Sequence, residues 1–176
     1  MAKHKLTAEL TAESIRMLRN KLLQYKTMEL PMKLKTLVKR LAENGVDVAK
    51  TRIATYDAIF TGELLNSIRS EDITIQNGNP IFVIIADSKH AAFVEFGTGQ
   101  MGLQGSYPHP FPEGVEWNYN TGKTIFEIAP GQYGWFYPMP NGTWRFTQGM
   151  PSRPFMYETS TELYSTVIKV AKEVFK

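Results

Sequence analysis

The chain has 176 residues, of which 43% are hydrophobic, and it contains no cysteine and no run of about 18 apolar residues. A chain of this length can bury one real core, so we expect a single domain spanning residues 1–176. The composition excludes disulfides, thiolate zinc sites, thiol nucleophiles and a membrane-spanning helix.

The formal net charge of +3 is divided unevenly along the chain. Residues 1–52 hold 12 Lys+Arg against 5 Asp+Glu, and the remaining residues hold 8 against 12. A basic first third can form a nucleic-acid face, but such residues more often lie on the solvated sides of helices, which is the favoured interpretation. The N-terminal sequence MAKHKLTAEL lacks the apolar stretch of a secretion signal, so we expect a cytoplasmic protein.

Apolar residues recur at helical spacing through the first third of the chain. They predict an amphipathic helix over Thr7–Tyr25, then a second helix from Pro31 that ends at Asn44-Gly45. Helical spacing resumes over Val46–Phe60 until Gly62 breaks it, and a short helical turn follows through residues 64–68.

From Glu71 the apolar period changes from helical to alternating. The pattern predicts a β-hairpin with a turn at Asn77–Pro80 and a buried second strand over Ile81–Ala86. A short helix capped by Asp87 or Ser88 is then expected over residues 90–96, although a third strand stays open for the same residues.

The region Thr98–Gly149 is rich in glycine and proline and holds all three tryptophans. We predict a non-helical arm, inserted into the domain, that ends in a hairpin turning at Pro140-Asn141-Gly142. Its aromatic content exceeds what one hairpin can bury, which favours a partner interface. The proposed interface residues are Trp135, Phe136, Tyr137, Trp144 and Phe146. Two alternatives are an arm that folds back onto its own domain and an arm that stacks on single-stranded bases.

From Pro154 a final amphipathic helix carries an apolar stripe that ends at Val174. It is expected to pack against the sheet or against the first helix. The predicted fold is α+β, with a small antiparallel sheet packed by N- and C-terminal helices and a protruding aromatic β-hairpin arm.

The residues offer little for catalysis. His4, His90 and His109 lack any spacing suited to a metal. Glu113 and Glu116 could form a carboxylate pair of the glycosidase kind, but such residues are more often a solvated loop. There is no glycine-rich phosphate loop and no serine nucleophile motif, so we predict no enzyme, no cofactor and no metal site.

Three short motifs stand in order along the chain. They read TGELLNSI at Thr61–Ile68, VEFGT at Val94–Thr98 and RPF at Arg153–Phe155. The middle segment is expected to be core, buried apart from Glu95, and a salt bridge from Glu95 to Arg153 is a sharper hypothesis. The residues that form the set are Gly62, Leu64, Phe93, Glu95, Phe96, Gly97, Arg153, Pro154 and Phe155.

This ordered set resembles the tail-component proteins of long-tailed bacteriophages, which complete the tail and join it to the head. The resemblance implies a virion structural protein that assembles as a ring at the head–tail junction, on the order of six or twelve copies. It implies contacts with the tail terminator, head-completion or tail tube proteins, no membrane, and host cytoplasm during assembly. Non-specific contact with DNA passing through the channel stays open. The alternative from the residues alone is a cytoplasmic nucleic-acid-binding protein that uses the basic N-terminal helices.

Overall fold

A computed structural model describes residues 11–58, 62–74, 79–104, 107, 110–115, 117 and 125–176. Helices and small sheets make up the described chain, which confirms the α+β class. In chain order the elements are α1 Ala12–Gln24, a π-helical turn Tyr25–Glu29, α2 Leu30–Thr55, α3 Glu63–Ser67, β1 Ile68–Thr74, β2 Pro80–Ala86, α4 Ala91–Phe96, α5 Gly99–Gln104, β3 Phe126–Ala129, β4 Gln132–Pro138, β5 Trp144–Thr147, β6 Gly149–Met150 and α6 Phe155–Val174.

The first helical region is one continuous run rather than three helices. It begins after Thr11, whose side chain forms a reciprocal capping box with Ser14. The predicted start at Thr7 lies outside the described residues. The run then passes through the π-helical turn into α2. In this turn the amide of Leu30 donates to the carbonyl of Tyr25.

The expected helix start at Pro31 is wrong because the helix is already formed there. Proline has no amide hydrogen to donate, and its ring crowds the carbonyl four residues earlier. The wider turn at Tyr25–Glu29 ends two residues before Pro31 and accommodates both effects. The helix therefore continues through the proline.

The expected helix end at Asn44-Gly45 is also wrong. Gly45 is buried inside α2, and a Cβ atom at this position would lie 2.9 Å from Cδ1 of Leu163 and would overlap Cδ1 of Ile84. Glycine is needed here because two other elements approach the helix closely, rather than because the helix stops.

By its internal contacts the described chain divides into two compact units. The first comprises residues 1–48, 69–85 and 160–176, and the second comprises residues 49–68 and 86–159. Gly45, Ala42 and Val170 are buried in the first unit. The core of the second unit contains Ile53, Leu64, Ile68, Val94 and Phe155.

Strands β1 and β2 form a two-stranded sheet. The strand predicted over Ile81–Ala86 is confirmed, but its residues are half-buried rather than fully buried. Part of the predicted turn at Asn77–Pro80 lies outside the described residues.

Strands β3, β4 and β5 form an antiparallel sheet within the predicted arm. The turn from β4 to β5 is fixed by Asn141, whose Oδ1 accepts hydrogen bonds from the amide of Thr143 at 3.1 Å and from its hydroxyl at 2.7 Å. Gly142 follows with a φ of +80°. This confirms the hairpin turn predicted at Pro140-Asn141-Gly142.

The prediction that Thr98–Gly149 contains no helix is wrong, because α5 occupies Gly99–Gln104. The sequence pattern did not indicate this helix because the segment is rich in glycine, which is a poor helix former. The helix is held in place by the rest of the chain: the Met101 amide donates to the carbonyl of Gln148 at 3.1 Å, and Gly99 pairs with Gly149.

The N-terminal helix α1 buries none of its residues. Ile15 remains 52% exposed and Leu22 50% exposed, although both belong to the apolar stripe of the predicted amphipathic helix. Across the part of the chain that the structure describes, no helix is long and apolar enough to cross a membrane.

Candidate functional site

The VEFGT motif ends helix α4 and begins a sharp change of direction. Gly97 adopts φ +77° and ψ 172°, a conformation open almost only to glycine, and its amide donates to the carbonyl of Phe93 at 2.9 Å. A Cβ atom on Gly97 would lie 2.7 Å from the backbone nitrogen of Ser152. The motif therefore needs glycine for its backbone angle and for a close approach of two chain segments.

Glu95 is buried, with 6% of its surface exposed, which corrects the expectation that it would be the exposed residue of the segment. Its Oε2 accepts a hydrogen bond from the amide of Met156 at 2.9 Å, and its Oε1 accepts one from the amide of Tyr157 at 3.0 Å. Both amides belong to the first turn of α6, where helix amides lack partners within the helix. The carboxylate thus caps this helix.

The expected salt bridge from Glu95 to Arg153 is replaced by this cap. The part played by Arg153 is a backbone one, because its amide donates to the carbonyl of Val94 at 2.8 Å. The hydroxyl of Ser152 donates to the Glu95 carbonyl at 2.6 Å. The VEFGT and RPF motifs therefore lie side by side and are joined by a main-chain contact, while the Glu95 carboxylate holds the two residues that follow the RPF motif.

Burial raises the pKa of Glu95, and the hydrogen bonds from Met156, Tyr157 and the hydroxyl of Tyr107 only partly offset that rise. The same burial raises the pKa of Tyr107 to about 12. The hydrogen bonds of Glu95 are all used to hold the chain together, so its evident role is structural.

A second polar group lies in the same unit. The hydroxyl of Tyr56 donates a short hydrogen bond to Glu158, and the guanidinium of Arg52 lies 3.3 Å from the same carboxylate. Burial raises the pKa of Tyr56 to about 12, with a further contribution from Glu158. These contacts fasten the end of α2 to the first turns of α6.

The first motif contacts the chain just before α4, the helix that leads into the second motif. Gly62 precedes α3 with a φ of +77°, and Leu64 is buried. The hydroxyl of Ser88, just before α4, donates to the carboxylate of Glu63 at 3.2 Å. Pro154 and Phe155, from the third motif, are both buried. All three motifs therefore supply packing and turns, while Thr61 lies outside the described residues.

An aromatic groove of about 650 Å³ lies beside the VEFGT motif. Phe96 lies at its base, with its ring centroid 5.1 Å from that of Tyr107 and 5.3 Å from that of Trp117. The indole nitrogen of Trp117 donates to the carbonyl of Gly97 at 2.8 Å. We define this aromatic groove by the rings that line it, which are Phe96, Tyr107, Phe111, Trp117, Tyr133 and Trp135.

Sequence analysis missed the contribution of Tyr107 and Phe111 to this site. They stand four residues apart in the proline-rich stretch YPHPFP, and their rings are stacked 5.5 Å apart. Proline follows Tyr107 and stands on both sides of Phe111, which favours a fixed extended backbone and is the signal that could have found them.

The five residues expected to form a partner interface have different surroundings. Trp135 packs on Gly99, where a Cβ atom would lie 2.7 Å from its ring. Phe136 and Phe146 contact each other edge to face at 5.3 Å. Tyr137 is half-buried, and Trp144 is 66% exposed. Part of the arm thus packs on its own unit, and Trp144 presents the most open aromatic surface of the five.

Among the described residues, no group of three or more His, Asp or Glu could hold a metal ion. Glu113 and His90 are exposed, whereas Glu116, His4 and His109 lie outside the described residues.

A comparison with protein-family models identifies the class of protein that this chain resembles. Residues 16–97, which run from α1 through the end of α4, match a model of phage tail-component proteins. The matched family is described as "Bacteriophage HK97-gp10, putative tail-component". The resemblance noted from the motifs is confirmed over these residues, and it supports a structural role in a phage. Comparisons with curated proteins and with solved structures found no match.

Proposed function

We propose that this protein is a structural component of the phage neck, which forms a ring at the head–tail junction and completes the tail for joining. The match of residues 16–97 to phage tail components carries this proposal. The RPF motif lies beyond that match, yet its Arg153 amide donates to the carbonyl of Val94 in the VEFGT motif at 2.8 Å. The part of the chain outside the match thus supports the same structural core.

The surface of the chain also favours assembly over catalysis. The described residues leave an apolar stripe of helix α1 uncovered, and a large exposed apolar surface usually marks a partner interface. The buried carboxylate of Glu95 is committed to a helix cap and is not presented to a substrate. We therefore expect no enzymatic activity, and we expect the protein in the virion after a period of assembly in host cytoplasm.

Deletion of the gene from the parent phage tests the proposal. We expect DNA-filled heads and tails of normal length that fail to join, visible by negative-stain microscopy, and a wild-type copy supplied in trans should restore joined particles. Normal infectious particles from the deletion phage would overturn the assignment.

A second candidate is a cytoplasmic nucleic-acid-binding protein, favoured by the excess of 12 Lys+Arg over 5 Asp+Glu in residues 1–52. On α1 the exposed cations include Arg16, Arg19 and Lys21. Binding of the isolated protein to DNA of arbitrary sequence, with an affinity that falls steeply as salt rises, would support this candidate. Substitution of these three residues by Gln should then weaken binding equally for all sequences.

A further inference from the structure

The apolar stripe on α1 is built like the contact face of a docking helix. Ile15, Leu18 and Leu22 recur at the spacing i, i+3 and i+7, which aligns them on one side of the helix. No residue of α1 is buried against the described part of the chain, so there the stripe lacks the cover that an amphipathic helix requires. We call these three residues the α1 stripe.

The aromatic groove is suited to an uncharged apolar helix face. Among the described residues, its lining contains six aromatic rings and no lysine, arginine, aspartate or glutamate. The amide group of Gln100 is already used: Nε2 donates to the carbonyl of Gly131 at 2.7 Å, and Oε1 accepts from the amide of Tyr133 at 3.2 Å. The groove thus offers rings and glycine backbone, and aliphatic side chains pack well on both.

The two surfaces lie in units of opposite net charge. The unit that contains α1 holds 14 Lys+Arg against 9 Asp+Glu, and the unit that contains the aromatic groove holds 6 against 8. Approach of the first unit of one copy to the second unit of another copy is therefore favoured electrostatically.

We propose that the α1 stripe of one copy docks in the aromatic groove of another copy. This contact joins two different surfaces of the same chain, so each copy can bind one neighbour on either side, and repetition closes a ring when the rotation permits. The inference rests on the proposed function and identifies the interface through which the ring would form. The mode is a helix laid into an apolar groove and anchored at i, i+3 and i+7.

A symmetric pairing of two α1 stripes is disfavoured by charge. Arg19 and Lys26 border the stripe on the surface formed by Ile15, Leu18 and Leu22. Two such helices packed face to face would bring four cations together, whereas the part of the groove lining that the structure describes holds no cation. The groove is therefore the better partner for the stripe.

Directed cross-linking tests the proposal. Because the wild-type chain contains no cysteine, only the introduced thiols can form a disulfide. Leu22→Cys places one thiol on the stripe, and Leu103→Cys places another on the groove lining at a residue that is 83% exposed. Tyr164→Cys, on the exposed surface of α6, is the matched control. None of the three replaces a buried side chain, so each variant should fold, as circular dichroism will verify.

Mixtures of singly substituted proteins are then oxidised at equal concentration. We expect the Leu22→Cys and Leu103→Cys pair to form heterodimers on the order of tenfold faster than the Leu22→Cys and Tyr164→Cys pair, because docking raises the effective thiol concentration. Equal rates for the two pairs, or a preference for Leu22→Cys homodimers, would overturn the proposal.

The same thiols separate this inference from the proposed function. Particles that carry the double variant Leu22→Cys/Leu103→Cys should yield a ladder of covalent multimers after oxidation. If the protein is required for joining but no ladder forms, the interface is wrong and the neck function stands. If the cross-link forms but phage lacking the gene assemble normally, the interface stands and the neck function is wrong.

Discussion

Oε2 of Glu95 lies 2.9 Å from the backbone nitrogen of Met156, a residue 61 positions further along the chain. The amide belongs to the first turn of α6, where the helix carries a partial positive charge. One carboxylate therefore links the VEFGT motif to the start of the C-terminal helix. Its contact explains why a charged residue stands among large apolar ones in that motif.

Replacement of Glu95 by Ala should lower the free energy of unfolding by about 1–3 kcal/mol, because it leaves helix amides without an acceptor in a buried place. Urea unfolding followed by circular dichroism measures the change. Glu113→Ala, which removes an exposed carboxylate, is the control and should leave the midpoint unchanged. Equal midpoints for the two variants would contradict the capping role.

The stability of the protein should depend on pH through Glu95. Burial raises the pKa of Glu95 above 4.5, so the folded chain holds this proton more tightly than the unfolded chain. Binding of this proton therefore stabilises the folded chain fully when pH is below the pKa of Glu95 in the unfolded chain. This stabilisation is lost as pH rises through the pKa of Glu95 in the folded chain. The unfolding free energy of wild type minus that of Glu95→Gln should therefore fall as pH rises above 4.5, the value from which this pKa is raised. A difference that stays flat or rises over this range would refute the shift.

The role of Glu95 shows where sequence analysis stops. The apolar residues around it predicted a packed segment and a short helix over residues 90–96, and α4 at Ala91–Phe96 confirms the helix. The partner of the carboxylate could not be predicted, since it is a pair of backbone amides. Every residue except proline carries an amide hydrogen, so the type of a distant residue gives no signal for such a contact.

Gly45→Val should destabilise the protein by about 1–3 kcal/mol, because the added side chain would collide with Ile84 and Leu163. Asn44→Val, at the exposed neighbouring position, is the matched control. Asparagine and valine have similar helix propensities, so the control should change stability by less than about 0.5 kcal/mol. Thermal unfolding of both variants gives the comparison. If Gly45→Val is as stable as the wild type, Ile84 and Leu163 do not approach α2 closely at this position.

Gly97→Ala should cost more than Gly131→Ala, although both glycines have a φ near +77°. At Gly131 no atom lies within 4 Å of an added Cβ, so only backbone strain of about 1–2 kcal/mol applies. At Gly97 the Cβ would also press on the backbone nitrogen of Ser152, and we expect a total loss of about 3 kcal/mol or more. Denaturant midpoints that agree for the two variants would contradict the close approach of the VEFGT and RPF motifs.

Two tryptophans of the arm should behave differently. Trp135→Ala should lower the unfolding free energy by about 2 kcal/mol, because its half-buried ring packs on Gly99. Trp144→Ala should change it by less than about 0.5 kcal/mol, since the ring is mostly exposed. Chemical unfolding monitored by circular dichroism distinguishes them. A large loss of stability for Trp144→Ala would place that ring in the core.

The arm shows a second limit of sequence analysis. Turn residues located the β4–β5 hairpin correctly, because Asn141 and Gly142 carry local signals for a tight turn. Helix α5 was missed because its stability comes from Gln148 and Gly149, which are distant in sequence. Local patterns therefore predicted the elements that local interactions determine, and they missed those held by remote partners.

The π-helical turn at Tyr25–Glu29 inserts one residue into what is otherwise a single α-helix. Each residue of an α-helix rotates the chain by about 100°, so the insertion resets the rotational phase between α1 and α2 by about that amount. The direction of the α1 stripe is thereby set independently of the face that α2 buries at Ala42 and Gly45. Loss of a single residue from the turn would swing Ile15 and Leu22 around the helix axis without moving a core atom of α2.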